Sequence, residues 1–245
     1  MRAHNLRAAA GNSGGAVEFD FTQGSAPSGI YTRYGNVSGV SQNPSWTAAG
    51  LSIPGDAPNN QNSYPIALSG SFTGDYLFQM STRIDVDPDN SNWCSDAGIA
   101  LFNGTHHNET TTNWVWKWGA LNRRLAAQNN CPKPQLYGQT SSLNISAPNS
   151  GQVLMSPYLS DGDFVTMHFR HLPSQSKTTY RVTAGSKDWT ESGTVFCTAN
   201  TGNQPSGGTI EVNDYFSTTQ AYYVGIGADD DQNECIINGF RYVKL

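Results

Sequence analysis

The sequence predicts an all-β fold, two antiparallel sheets packed as a sandwich, and three observations point there. About a dozen stretches have strand composition, each bounded by clusters of Gly, Pro, Asn, Asp or Ser that supply turns. Helical periodicity is nearly absent: the best stretch, "GALNRRLAAQNN" at 119–130, is short, carries a charged pair in its middle, and reads as a loop or short helix. Charged residues make up only 13% of the 245, well under the usual level of about a quarter, while Ser, Thr, Asn and Gly abound. That many strands in one unit close into a sandwich.

In chain order the strand stretches are "AVEFDF" (16–21), "GIYTRYG" (29–35), "SYPIALSG" (63–70), "DYLFQMSTRIDV" (75–86), "AGIALFNG" (97–104), "NWVWKWG" (113–119), "SLNISA" (142–147), "DFVTMHFRHL" (163–172), "TTYRVTAG" (178–185), "GTVFCTA" (193–199), "AYYVGIGA" (221–228) and "CIINGFRYVKL" (235–245). No internal repeat or linker divides residues 16–245, so they form one domain. Residues 1–15, "MRAHNLRAAAGNSGG", are too polar and Gly/Ala-rich for a strand of that core. We expect them to be an N-terminal arm that docks on another chain.

The run "DFVTMHFRHLPSQSKTTYRVTAG" reads as a strand, a short polar turn and a second strand, and the chain finishes on "YYVGIGADDDQNECIINGFRYVKL". This resembles the last third of concanavalin A-like or laminin G-like jelly rolls, where a Gly-flanked strand and a polar loop precede a final strand of the form G-F-x-x-V-x-L. An early strand like "GDYLFQMSTRIDV" followed by one like "AGIALFNG" belongs to the same pattern. For residues 16–245 the resemblance implies an antiparallel concanavalin A-like jelly roll with a lectin-like surface.

"NWVWKWG" sets Trp114, Trp116 and Trp118 at alternate positions, so in a regular strand they share one face and Val115 and Lys117 the other. Indoles stack well on the apolar faces of sugars, and they also dominate cores. Lys117 favours the core for the tryptophan face, because an unpaired buried ammonium is expensive. That leaves the end indoles Trp114 and Trp118 as the ones to touch a ligand, with Trp116 in the core. With Tyr137, and with His168 and Arg170 on one strand face, they make the candidate ligand-binding set.

Asp85, Asp87 and Asp89 in "IDVDPDNSN", and Asp229 and Asp231 in the later acidic loop, are the candidate metal ligands. They are hard oxygen donors suited to Ca2+, without an EF-hand pattern. Laminin G-like domains often hold calcium in such loops, so the resemblance points the same way.

Catalytic sets are incomplete. Glu18 and Asp20 lie two apart on one strand, as a glycoside hydrolase pair would, but the glucanase pattern E-x-D-x-E stops at Thr22. His168, Arg170 and Tyr180 are the raw materials of a polysaccharide lyase without its characteristic runs. His106 and His107 read as a solvated turn. Cys94, Cys131, Cys197 and Cys235 have no zinc spacing; pairing 94 with 131 and 197 with 235, or four buried thiols, both fit. The sequons at Asn36, Asn103, Asn108 and Asn144 are expected by chance in so polar a chain.

A net charge of -5 without a basic cluster argues against nucleic acid, and no apolar run approaches a membrane span. The first residues lack the apolar stretch of a secretory signal. We expect a non-enzymatic virion structural protein, of bacteriophage decoration or fibre type. Its partners would be other virion proteins through residues 1–15, a cell-surface glycan, and copies of itself in a homo-oligomer. The alternatives are a secreted carbohydrate-binding module or lectin and, after those, a hydrolase or lyase of the same fold.

Overall fold

The computed structural model of the chain describes residues 15–32, 44–53, 63–83, 97–102, 115–122, 133–140, 143–145, 162–196, 209–213, 217–228 and 234–245. One sheet has nine strands: β1 (Val17–Asp20), β3 (Ser45–Trp46), β4 (Leu51–Ile53), β6 (Tyr76–Arg83), β11 (Phe164–Leu172), β12 (Lys177–Ala184), β13 (Val195–Phe196), β14 (Thr209–Asn213) and β16 (Cys235–Lys244). The other has seven: β2 (Ile30–Thr32), β5 (Ser63–Leu68), β7 (Ala97–Phe102), β8 (Val115–Asn122), β9 (Lys133–Thr140), β10 (Leu143–Ile145) and β15 (Tyr223–Ala228). All pairings between named strands are antiparallel.

The nine-stranded sheet runs β13-β12-β11-β6-β16-β4-β3, and the seven-stranded sheet β10-β9-β8-β7-β15-β5-β2. Two short strands extend the first sheet end to end with others: β1 takes residues 239–242 of β16 beyond the part held by β4, and β14 takes residues 177–181 of β12 beyond the part held by β13. Each stretch with strand composition contains a strand, and four more appear: β3, β4, β9 and β14. The reading of 119–130 as loop or helix is corrected over its first part, since residues 119–122 continue β8.

Alternation divides each sheet into two faces. Phe78, Met80, Met167, Phe169, Tyr180, Val182 and Phe240 of one sheet meet Ile66, Leu68, Ile99, Leu101, Val224 and Ile226 of the other in one apolar core. Burying each such side chain contributes roughly 1.5–3 kcal/mol before chain entropy is counted. At one end of the sandwich Phe72, Tyr76, Phe78, Tyr222 and Tyr242 pack ring against ring, Phe72 edge-on to Tyr76 at 5.1 Å. Cys235 is buried on β16, its sulfur 3.8 Å from Thr82 Oγ1; the other three cysteines lie outside the described residues.

Candidate functional site

Two outward faces carry the chemistry, and they belong to different sheets. On the seven-stranded sheet, Ile66, Ile99, Leu101, Val224 and Ile226 define the core side. Residues directly opposite in an antiparallel ladder share a face. The register therefore lays one row across the other side: Tyr31 opposite Ala67, Ala67 opposite Gly225, Gly225 opposite Ala100, Ala100 opposite Trp118, and Trp118 opposite Tyr137. Ala67 is 1% exposed and Gly225 is buried, so the middle of the row is floor beneath other atoms. Its aromatic end is the adjacent pair of positions 118 and 137, about 4.8 Å apart by strand spacing.

This register corrects the reading of Lys117. Lys117 is opposite Leu101, a residue with no exposed surface, which puts position 117 on the core side and position 118 on the outward side. Simple alternation fails because the β7–β8 pairing shifts register between Leu101 and Phe102, so position 116 has no regular partner. The partner of position 117 on β9 is Gly138. The side chains of Trp116, Trp118 and Tyr137, and all of Trp114, lie outside the described residues.

The outward face of the nine-stranded sheet carries a second row, one residue from each of six strands: Glu18, Arg241, Gln79, His168, Arg181 and Thr209. Between β12 and β13 the chain folds back over this row as a strap, residues 185–194. The strap is seated by the sheet's side chains. Ser81 Oγ accepts from the Lys187 amide at 3.0 Å and Thr166 Oγ1 from the Asp188 amide at 2.9 Å. Gln79 Nε2 donates to the Trp189 carbonyl at 3.0 Å. Glu191 is ion-paired with Arg170 and stands 3.9 Å from Arg181. At the outer edge Lys187 Nζ donates to Asp20 and Trp189 Nε1 to Glu18, at 3.0 and 2.8 Å. Gly239 on β16 lets the strap lie close, since a Cβ there would stand 2.9 Å from Cε of Lys187.

His168 sits beneath the strap with no exposed surface. Its Nδ1 is 2.9 Å from Gln79 Nε2 and its Nε2 is 2.8 Å from Thr183 Oγ1. The network fixes the tautomer. Gln79 Oε1 accepts from Arg241, so the amide nitrogen faces Nδ1 and donates to it. Thr183 donates its hydroxyl proton to Asp188 at 2.7 Å, so Nε2 carries the imidazole proton. Burial pulls the ring down to about 4, with Arg170 and Arg181 adding to the shift and Glu191 and Asp188 opposing it. Burial would raise Asp188, but hydrogen bonds from Gly193, Thr183 and Ser192 outweigh it and hold the carboxyl at about 2.

The candidate residues thus divide. Trp118 and Tyr137 are brought together; His168 and Arg170 lie on the other sheet, engaged with Gln79, Thr183 and Glu191, so the five do not form one ligand surface. Tyr180 is opposite Phe169 on the core side, which separates it from His168 and Arg170 and breaks the lyase set. Glu18 and Asp20 do share a face, but both hold the strap. Partial burial would raise Asp20, yet hydrogen bonds from Lys187, Thr22 and Gln23 hold it well below the usual carboxylate range, unsuited to a general acid. Asp85, Asp87, Asp89, Asp229 and Asp231 lie outside the described residues, among which no group of three or more metal-ligating side chains occurs. No helix among them is long and apolar enough to cross a membrane. The residues that sequence reasoning missed are Gln79, Arg241, Asp188, Trp189 and Glu191; the only signal was a polar, Gly-bounded turn, "GSKDWTESG".

Solved structures share this architecture. The legume lectins superpose over nearly the whole chain: basic winged bean lectin with Tn-antigen at 8% identity, covering 94% of this chain and 99% of that one with a TM-score of 0.55. The Lotus tetragonolobus seed lectin matches at 10% identity over 94% and 100%, TM-score 0.55, and the lectin-like defense protein arcelin-5 from Phaseolus vulgaris at 10% over 94% and 98%, TM-score 0.53. At such identities the likeness establishes the fold, a concanavalin A-like jelly-roll sandwich. No protein family model and no curated protein matches the chain.

Proposed function

We propose that this chain is a non-enzymatic, lectin-like sandwich that binds a glycan at the outward face of the seven-stranded sheet, around Trp118 and Tyr137. The observation that carries the reading is their register: two aromatic residues directly opposite each other on adjacent strands, on the side away from the core. Flat aromatic surface of this kind stacks on the apolar faces of sugar rings. The row holds no charged residue, which fits a neutral sugar. The carboxylate pair and the His–Arg–Tyr set considered for hydrolysis or elimination are engaged with the strap or split by the sheet. A glycan array tests the reading: Trp118→Ala should weaken binding to the sugars the intact chain retains by about tenfold or more while leaving thermal unfolding unchanged. Equal binding by the variant overturns it.

The setting we propose is the outside of a virus particle, with residues 1–15 as the docking arm; the polar, Gly/Ala-rich composition of that stretch supports an arm rather than a strand. Removing residues 1–15 should then abolish particle association and leave glycan binding intact. A secreted carbohydrate-binding module is the outcome if association survives.

A further inference from the structure

The strap over the nine-stranded sheet has the features of a cover built to come off. Hydrogen bonds and ion pairs seat it, and Trp189 is the one large apolar side chain among its ten residues, 185–194. Two of its corners, Lys187 and Glu191, hold φ of +53° and +58°, a left-handed conformation unfavourable for side chains with a Cβ and sustained by the surrounding contacts. Beneath it His168 has no exposed surface and a single allowed proton arrangement.

We infer that the strap is an acid-released cover, with His168 as its proton sensor. A second proton on the ring can go only to Nδ1, where it would face the Gln79 amide nitrogen, donor against donor. Turning the Gln79 amide over does not help. It would set Oε1 against the Trp189 carbonyl and Nε2 against Arg241, replacing two hydrogen bonds with two repulsions. The charged groups that face His168 among the described residues are Arg170 on its own strand, Arg181 on β12, Arg241 on β16 through Gln79, and Asp188 and Glu191 from the strap. The two carboxylates favour the extra proton, but Glu191 is paired with the arginines and Asp188 already accepts from Thr183, Ser192 and Gly193. Lifting the strap removes the conflict, because water then reaches the ring and Gln79 no longer has to satisfy Trp189.

The sign follows from the two states. With the strap open, His168 titrates near the ordinary value of about 6.5; closed, burial keeps it neutral down to about 4. The closed state is therefore undisturbed above the ordinary range and loses ground as pH falls through that interval. The strap's opening constant should rise on the order of a hundredfold between pH 7 and pH 4.

Hydrogen exchange on the full chain reads this directly. After correction for the intrinsic pH dependence, the Lys187 and Asp188 amides should lose about that factor of protection between pH 7 and pH 4, while β6 and β11 remain protected. In His168→Gln, which keeps an amide near Thr183 but cannot take up the proton, strap protection should be the same at both values. Unchanged protection in the wild type overturns the proposal, and an equal loss in the variant does so too, by assigning the effect to the carboxylates. Should the variant fail to fold, nitrogen-15 spectra of the wild-type ring decide: an Nε2–H tautomer at pH 7 and a midpoint coinciding with loss of strap protection are expected. An Nδ1–H tautomer, or a ring titrating at its ordinary value under a closed strap, overturns it.

Discussion

Gln79, His168, Thr183 and Asp188 form a chain of donors and acceptors with one consistent direction, and that direction has a measurable consequence for stability. The histidine is neutral in the folded chain below the pH at which an unfolded chain would protonate it. Folding stability should therefore fall as pH drops from about 6.5 toward 4, by on the order of 3 kcal/mol in urea titrations, and then level off for this group. Asp188 and Asp20 have the opposite arrangement, with carboxyls held below their ordinary value by hydrogen bonds. Their contribution is present above about pH 4 and disappears below it, so the two kinds of group give separate windows in one stability profile. Glu191→Gln tests the ion pairs at the far corner. It leaves two partly buried arginines facing a neutral amide, and a loss of about 1–2 kcal/mol is expected, less than for a fully buried pair because Arg170 and Arg181 remain 29% and 27% exposed.

At the scale of the element, the strap's return into β13 depends on Gly193. A Cβ there would collide with the Ala184 carbonyl and stand 2.9 Å from Asp188 Oδ2, so Gly193→Ala should lower stability by roughly 1–3 kcal/mol and raise exchange at Lys187 and Asp188. In β8 the informative comparison is between neighbours: Trp118→Ala should reduce glycan affinity about tenfold or more, as loss of a stacking contact does, whereas Lys117→Ala on the core side should leave affinity alone. Strands this regular were legible because alternation and Gly/Asn boundaries are local signals. β4 is three residues long, too short to show a period, and β9 carries Pro134 and Gly138, which argue against a strand. Pro134 is accommodated because β10 pairs only with residues 138–140, so none of its residues lies opposite position 134. The faces of β8 were misread because the cost of a buried ammonium was made to decide them, whereas the ladder sets Lys117 opposite buried Leu101. That pairing, and the register shift that separates Val115 from the face of Lys117, are properties of the pair and cannot be seen in one strand's sequence.

For the whole molecule, the concanavalin A-like sandwich was legible in the strand count and in the Gly-marked final strand, and the lectin superpositions agree with it. The candidate site was legible only in part. Trp118 and Tyr137 are near each other because the β8–β9 ladder makes them so, which composition alone suggested without placing them. His168 and Arg170 looked like surface chemistry since nothing local indicates that residues 185–194 fold back over them. Removal of residues 1–15 belongs at this scale as well: melting should be unaffected, because the described core draws on residues from Val17 onward.

The polar row under the strap takes one residue from each of six strands, from Glu18 near the start of the chain to Arg241 near its end. The strap's inner seats, Ser81, Gln79 and Thr166, stand on β6 and β11, but its outer edge rests on Asp20 and Glu18 of β1 and against Gly239 of β16, and has no place to land until the first and last strands have joined the sheet. Closing that edge is thus a late folding event built on the least local contacts in the domain, which are the slowest to form. The acquisition of exchange protection at the Trp189 indole N–H, which donates to Glu18, would then serve as a clock during refolding, marking when β1 and β16 have met.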